Sequence, residues 1–475
     1  MEKTESTAKS RYFAQALASK RAEDEWMASA LNRPAGLKRT GNWSDKWLLP
    51  DPRFQPIVRK AKDDKDQRAE PAVSLDSLTD EQARAFDRMT KWRNNCTGVA
   101  DLLTMGGLAG VGKSTLLSLF AKTTRNTAFC CFAAKATDVL RRKMRQLGMS
   151  SGFLENNVRT IHSLIYIPIE DAKGGIVGWD RQDPEKLRQQ FQAVVVDEAS
   201  MVNDQMLADL QELDLPILAV GDHGQLPPVE GKGSLMANPD IKLEKIHRQA
   251  EGNPIIALAH QIRQTGHLPR YDTLPKDGAV RFAQMGELPE LLRQLYKRFA
   301  VQDIALLTYT NATRQKLNRL SRRVWLGDRM DDNQLVPTDQ VICLKNYKRH
   351  VFNGLRGTLK GSKQLYDHWF DASVDFTDHD LQMHAPLLRG QFGNPKTFPD
   401  LLEIQKQLKL GVIEWHEVGL LFDYGYALTV HKAQGSGFRA VILRYERPRP
   451  VGDEDFKRWI YTAATRAIDE LYIVV

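Results

Sequence analysis

Cysteine is scarce in this chain. There are four, Cys96, Cys130, Cys131 and Cys343, and none forms a C-x-x-C pair. A disulfide framework and a thiolate metal site are therefore poor readings, and buried free thiols in a reducing compartment are the better one. Long apolar runs are missing too. Nothing approaches the roughly 18 consecutive apolar residues of a membrane-spanning helix, so no membrane partner is expected. The opening stretch MEKTESTAKSRYFAQALASK lacks the apolar segment of a secretory leader, which suggests the cytoplasm of a bacterial or phage-infected cell. Acidic residues are outnumbered, 59 against 67 Lys and Arg, leaving a net charge of +8. That excess suits a polyanionic partner, because lysines and arginines that neutralise phosphates release counterions on binding. At 475 residues, 42% hydrophobic and 27% charged, the chain is an ordinary globular polypeptide too long for a single core.

The order along the chain is uneven. Residues 1–70 carry the mixed-charge run KAKDDKDQRAEP and read as an extension that docks or stays mobile, with no legible function. From Ser77 the pattern changes. LTDEQARAFDRMTKW predicts a helix with Thr79 as N-cap and Gln82 three residues later, a capping box. Short apolar runs follow: VADLLTMGG, NTAFCCFAA, FQAVVVDEAS, DLPILAVGD, and later QDIALLTYTN and FRAVILRYE. With helical stretches between several of them, they predict buried parallel strands joined by crossover helices, an α/β fold with ligand loops at the carboxyl ends of its strands.

One loop carries a specific chemistry. Gly107 to Ser114, GLAGVGKS, fits the phosphate-binding pattern G-x-x-x-x-G-K-[ST] between a strand and a helix. Its glycines let backbone N–H groups turn toward phosphate oxygens where a side chain would collide. The loop residues Gly107, Leu108, Ala109, Gly110, Val111, Gly112, Lys113, Ser114 and Thr115 are thus the candidate nucleotide cradle. Lys113 would reach the β- and γ-phosphates and Ser114 would ligate Mg²⁺. In AVVVDEAS, Asp197 ends an apolar run, where it can hold Mg²⁺, and Glu198 beside it can orient and deprotonate water. ATP hydrolysis with Mg²⁺ is the expected chemistry.

Two further regions distinguish a motor from a generic ATPase. LAVGDHGQLPPV places Gln225 before the Pro227–Pro228 turn, while YALTVHKAQGSGF and YTAATRAIDELYIVV come far downstream. A motor needs nucleotide-sensing groups on a second domain, so that hydrolysis changes how two domains sit. These stretches resemble the superfamily 1 helicases, most closely the RecD-like and phage Dda-like group, superfamily 1B, over roughly residues 75 to 475. LTDEQ is similar to the Q-motif, GLAGVGKST to motif I, VVVDEAS to motif II, VGDHGQLPP to motif III, LEKIHRQ to motif IV, LTVHKAQGSGF to motif V and YTAATRA to motif VI.

The resemblance implies two tandem RecA-like P-loop domains, residues 71–240 and 241–475. It implies a small β-hairpin insertion in the first (167–190) bearing a separating pin, although YIPIEDAKGGIVGWD also reads as a plain surface hairpin. It implies an SH3-like β-barrel insertion in the second (about 335–423). It places Gln82 toward the adenine and Gly435 near the nucleotide, makes Gln225 a γ-phosphate sensor, and makes Arg248 and Arg466 arginine fingers, with Lys113 and Glu198 facing Arg466 across a cleft. Single-stranded DNA would meet Phe132, Lys135, His162, Pro227, Pro228, Thr429, His431 and Lys432. The first DNA-contacting motif departs from the family, CFAAKAT having Ala133 and Ala134 where a threonine and a glycine are usual. Read this way, the chain is an ATP-dependent DNA helicase moving 5′ to 3′ on single strands and opening forks, active as a monomer, serving replication, repair or recombination and the proteins of those processes. A translocase that strips proteins, a motor subunit of a nuclease complex, and RNA as substrate stay open.

Overall fold

A computed structural model describes residues 57–58, 74–96, 101–170, 176–228, 235–245, 252–269, 278–332, 334–345, 351–366, 369–376, 381–394 and 420–475. The helix predicted from LTDEQ spans Asp80–Asn95, and its N-terminus is closed by the expected box: the Thr79 hydroxyl accepts from the Gln82 amide while the Gln82 carboxamide accepts from the Thr79 amide. Its inner face buries Ala85 and Met89.

The apolar runs form two separate parallel sheets. The first has the order Val158–Thr160, Thr127–Cys131, Ala193–Asp197, Ile217–Gly221, Leu102–Gly107, Ile241–Leu243. Four of these strands are buried from end to end or nearly so, which is why VVV and ILAV are continuous apolar runs rather than alternating ones. The second sheet has the order Val280–Ala283, Ala467–Val474, Phe438–Arg444, Ile304–Thr308, Ala427–Thr429, again all parallel. Thr308 pairs with Thr429, so the loops that follow both strands leave the same carboxyl edge. Each sheet is flanked by helices, and the mixed α/β architecture with parallel sheets fits RecA-like domains.

Two antiparallel pieces stand outside these sheets. Tyr166–Glu170 pairs with Ile176–Arg181; residues 171–175, including the Gly174-Gly175 turn, lie outside the described residues. The base of this ribbon is anchored on the helix Asp204–Gln211, where Asp209 accepts from the Tyr166 hydroxyl at 2.5 Å and from Arg181 at 2.6 Å. The larger piece has six strands in the order Ile57–Val58, Leu381–Leu388, Trp369–Phe376, Arg356–Tyr366, Gln340–Cys343, Phe422–Tyr424, all antiparallel, around its own core of Val341, Leu359, Val374 and Phe422. Ile57 and Val58, from the segment expected only as an extension, add its edge strand.

A buried ion pair fixes this piece to the second α/β unit. Arg322, on the helix Asn311–Leu326, donates to both carboxylate oxygens of Asp339 at 2.8 and 2.9 Å, and the Tyr426 hydroxyl donates to the same carboxylate at 3.0 Å. The Arg322 and Asp339 side chains are 1% and 0% exposed. Among the described residues no helix is long and apolar enough to cross a membrane. Cys130, Cys131 and Cys343 are buried and free, and Cys96 is half-buried and free.

Candidate nucleotide site between two α/β units

The phosphate loop leaves the strand Leu102–Gly107 and runs into the helix Lys113–Thr123, as a strand–loop–helix reading requires. Gly112 caps that helix at φ +84, a left-handed backbone that glycine adopts without steric cost. A Cβ there would lie 2.6 Å from Gln82 Nε2, because the Gln82 carboxamide donates to the Val111 carbonyl at 2.8 Å. The capping glutamine of the first helix thus braces the loop from behind. Lys113 is folded onto the loop, its ammonium donating to the carbonyls of Gly107 at 2.7 Å and Leu108 at 3.0 Å.

Asp197 and Glu198 follow the central strand. Asp197 pairs in register with Cys131 and is 8% exposed. Burial, and then the neighbouring Glu198 carboxylate, push its carboxyl up to about 6, while the Glu198 amide and the Lys113 and Lys143 ammoniums pull the other way. Glu198 sits at φ +55, left-handed although it is not glycine. The bend lets its amide donate to Asp197 Oδ1 at 2.9 Å. Its own Oε2 is buried without a hydrogen-bond partner, as is Oε1 of Gln225. A buried carboxyl held above its usual range, next to unsatisfied oxygens and an ammonium, is a site short of positive charge. A divalent cation such as Mg²⁺ fits that deficit, and the Lys113 ammonium suits the phosphates such a cation would accompany.

The second unit closes over this site. Its helix Asp453–Ala464 sends Tyr461 and Thr462 to the first unit. The Tyr461 hydroxyl accepts from the Ala109 amide of the phosphate loop and donates to Asp222 Oδ2, both at 2.8 Å. The Thr462 hydroxyl accepts from the Leu226 amide at 3.0 Å, and the Gln434 carboxamide donates to the Leu226 carbonyl at 3.1 Å. His260 Nε2 lies 3.1 Å from the Ala109 carbonyl. Arg466, at the end of that helix, is 6% exposed and bonded within its own unit: to the carbonyls of Thr462 (3.0 Å) and Ser436 (3.4 Å) and to the Thr465 hydroxyl (2.9 Å). Every bond of the Arg466 guanidinium among the described residues is thus to its own unit. Arg248 lies outside the described residues.

The other expected residues fall in distinct places. Gly435, at φ +70, would bring a Cβ within 3.4 Å of Ala136 and 3.6 Å of Ala133, so its neighbours belong to the first unit's CFAAKAT segment. Small residues at Ala133 and Ala136 permit that approach. Lys135 places its ammonium 4.5 Å above the Phe438 ring. Phe132 is half-buried, His162 is exposed with its ring 5.4 Å from Tyr166, and Pro227 and Pro228 are half-buried. Thr429 caps the short helix Val430–Ala433, the His431 ring meets Tyr309 edge-on at 6.4 Å, and Lys432 donates to Asn353 at 3.4 Å. Sequence reasoning missed Tyr461, Thr462, His260 and Asp222. Two of them stand inside the quoted YTAATRA, as polar side chains in an otherwise small or apolar helix end.

Residues 77–285 match the family model described as an AAA domain, and residues 424–474 match the UvrD-like helicase C-terminal domain. Together the two span more than half of the 475 residues. Among curated proteins the chain is similar to the ATP-dependent RecD2 DNA helicase of Deinococcus radiodurans, 27% identical over 432 residues, covering 86% of this chain and 50% of that protein. These likenesses support a helicase of superfamily 1B. The chain also resembles an uncharacterized protein of Methanocaldococcus jannaschii, 22% identical over 517 residues, which covers 92% of the chain and 42% of the relative. It spans about half or less of the length of these curated relatives. Solved structures that resemble it include a Pif1 helicase studied at forked duplex DNA (TM-score 0.47, 18% identity, 83% of this chain and 92% of that one). Another is Pif1 helicase from Bacteroides with ADP-AlF3 and single-stranded DNA (TM-score 0.46, 16% identity, 83% and 92%).

Proposed function

We propose that the chain is an ATP-dependent DNA helicase that travels on single-stranded DNA, 5′ to 3′, and couples hydrolysis to strand separation. The observation that carries the reading is the contact of two α/β units at one phosphate loop: Tyr461 reaches Ala109 and Asp222, and Thr462 reaches Leu226. A nucleotide in that loop and the second unit cannot be placed independently.

The residue roles are those the helicase resemblance implies, and that geometry supports them. Ser114 and Asp197 would hold Mg²⁺, which supplies charge neutralisation along the phosphates. Lys113 leaves the Gly107 and Leu108 carbonyls for the phosphates. Gln82, already seated on Val111, borders the adenine, and Gly107 to Thr115 and Gly435 line the nucleotide side. Glu198, desolvated and with a free oxygen, takes the proton of the attacking water. Gln225 registers the γ-phosphate. Arg466 exchanges its carbonyl partners for the transferring phosphate, and Arg248 adds a second guanidinium; such groups contribute about 10³–10⁵ in rate in related phosphoryl transfers.

The domains divide at about residue 240, with the ribbon within 167–190 as the separating pin and the antiparallel piece within about 335–423 as an SH3-like barrel. Thr429, His431 and Lys432, on the same sheet edge, take the strand together with Phe132, Lys135, His162, Pro227 and Pro228. Forked DNA is the substrate, the chain acts as a monomer, and replication, repair or recombination proteins are its partners. A translocase that displaces proteins without unwinding shares every ATP residue and differs only in the ribbon.

Unwinding assays on 5′-tailed, 3′-tailed and blunt duplexes with an RNA control test this. Opening of the 5′-tailed fork alone supports the reading, and exclusive use of a 3′ tail overturns the direction. Lys113→Ala should abolish turnover and leave strand binding intact. Loss of unwinding with ATPase retained after deletion of Gly174-Gly175 identifies the ribbon as the pin; unchanged unwinding removes that role.

A further inference from the structure

Asp222 is fully buried, 0% exposed, and needs donors for a carboxylate that no lysine or arginine among the described residues is seen to bond. It obtains them from three places. The Gly224 amide donates to Oδ1 at 2.9 Å; the Gln225 carboxamide, at 3.2 Å, and the Tyr461 hydroxyl, at 2.8 Å, donate to Oδ2. Gln225 is thereby oriented: its Nε2 is spent on Asp222 and its Oε1 is left buried and unpartnered. A side chain at Gly224 would be crowded, since a Cβ would stand 3.0 Å from the Tyr461 ring and 3.2 Å from Asp222.

While its hydrogen goes to Asp222, the Tyr461 oxygen accepts from the Ala109 amide. His260, also from the second unit, lies against the carbonyl of Ala109, where only an Nε2–H can donate. One residue of the phosphate loop is thus held on both its polar atoms by the second unit.

We infer that Tyr461 is a positioning residue for ATP turnover: its hydroxyl joins the phosphate loop at Ala109 to Asp222 and through Asp222 sets the direction of Gln225. This deepens the helicase reading and rests on it. The device acts through one oxygen, so a phenylalanine keeps the buried ring while cutting the connection. What remains is an unpaired loop amide, a buried carboxylate with one donor fewer, and a Gln225 free to turn.

The test is Tyr461→Phe in the full chain, with ATP hydrolysis measured at saturating oligo-dT and KM separated from kcat. The expected result is a kcat lowered about tenfold with KM for ATP within about twofold, because Lys113 and the loop amides beyond Ala109 are untouched. Tyr296→Phe is the control. It removes a buried hydroxyl that bonds Ser321, far from the phosphate loop in sequence and outside the proposed site, and should lower the melting temperature without lowering kcat. A kcat for Tyr461→Phe within twofold of wild type overturns the inference, as does an equal loss in Tyr296→Phe. If Tyr461→Phe does not fold, Asp222→Asn interrogates the same connection from its other end, with kcat again expected to fall and an unchanged kcat again refuting it. A wild-type chain without ATPase would refute the helicase reading instead, so the two failures are distinct.

Discussion

Replacing Gly112 by alanine adds one methyl group at the most constrained point of the phosphate loop. Two costs can be assigned. The backbone at φ +84 is left-handed, which costs an L-residue roughly 1–2 kcal/mol. The new Cβ would stand 2.6 Å from Gln82 Nε2, so the carboxamide must leave the Val111 carbonyl it now meets at 2.8 Å, forfeiting about 0.5–1.5 kcal/mol. Gly112→Ala should therefore destabilise by about 1.5–3.5 kcal/mol. Urea unfolding followed by circular dichroism reads the loss as a lower midpoint at unchanged slope. A double-mutant cycle separates the two terms. In a Gln82→Ala background the collision is gone, and Gly112→Ala should cost only the backbone share, leaving a coupling of about 1 kcal/mol. A cost below about 0.5 kcal/mol for Gly112→Ala, within the ordinary surface range, would refute the conformational reasoning. An equal cost in both backgrounds would refute the contact with Gln82.

Other consequences are as direct. Glu198→Gln should lower kcat for ATP by about 10²–10⁴-fold, the usual share of a general base, while nucleotide affinity measured by a fluorescent ADP analogue changes little. Arg322→Ala leaves the fully buried Asp339 carboxylate without its cation and should destabilise by about 3–5 kcal/mol, read by thermal unfolding. Burial holds the His431 imidazole below its usual value. The unfolded chain then binds more protons, so this residue's contribution to stability is complete above about pH 6.5 and lost as pH falls below it. His431→Gln should accordingly show a shallower drop in melting temperature between pH 7 and 5.5 than wild type, and parallel curves would refute the assignment. Strand affinity should fall with salt at a slope near −0.7 for each phosphate contacted, measured by fluorescence anisotropy on oligo-dT.

What the sequence made legible was local. The Thr79–Gln82 box, the strand–loop–helix around Gly112 and the apolar strand ending in Asp197 are each written in consecutive residues, and each forms as read. Contacts between distant segments were not legible. Nothing within YTAATRA indicates that Tyr461 meets Ala109, 352 positions earlier, or that Arg466 rests on Thr462 and Ser436. The bond from the Gln82 carboxamide to the Val111 carbonyl was likewise not legible, 29 positions separating the helix start from the loop it braces. Nor did motif position reveal that the bare Cα of Gly435 faces Ala133 and Ala136 of the first unit. The edge strand at Ile57–Val58 was hidden because two paired residues leave no periodicity to detect.

Glu198 occupies a bend that favours a residue without a side chain. Glycine would relax the backbone there and remove a desolvated oxygen, so under the proposed mechanism the more comfortable chain would be the one that cannot take a proton from water. On that proposal, selection for durability and selection for turnover pull this single position in opposite directions, and a library screened only for heat resistance would tend to discard the carboxylate.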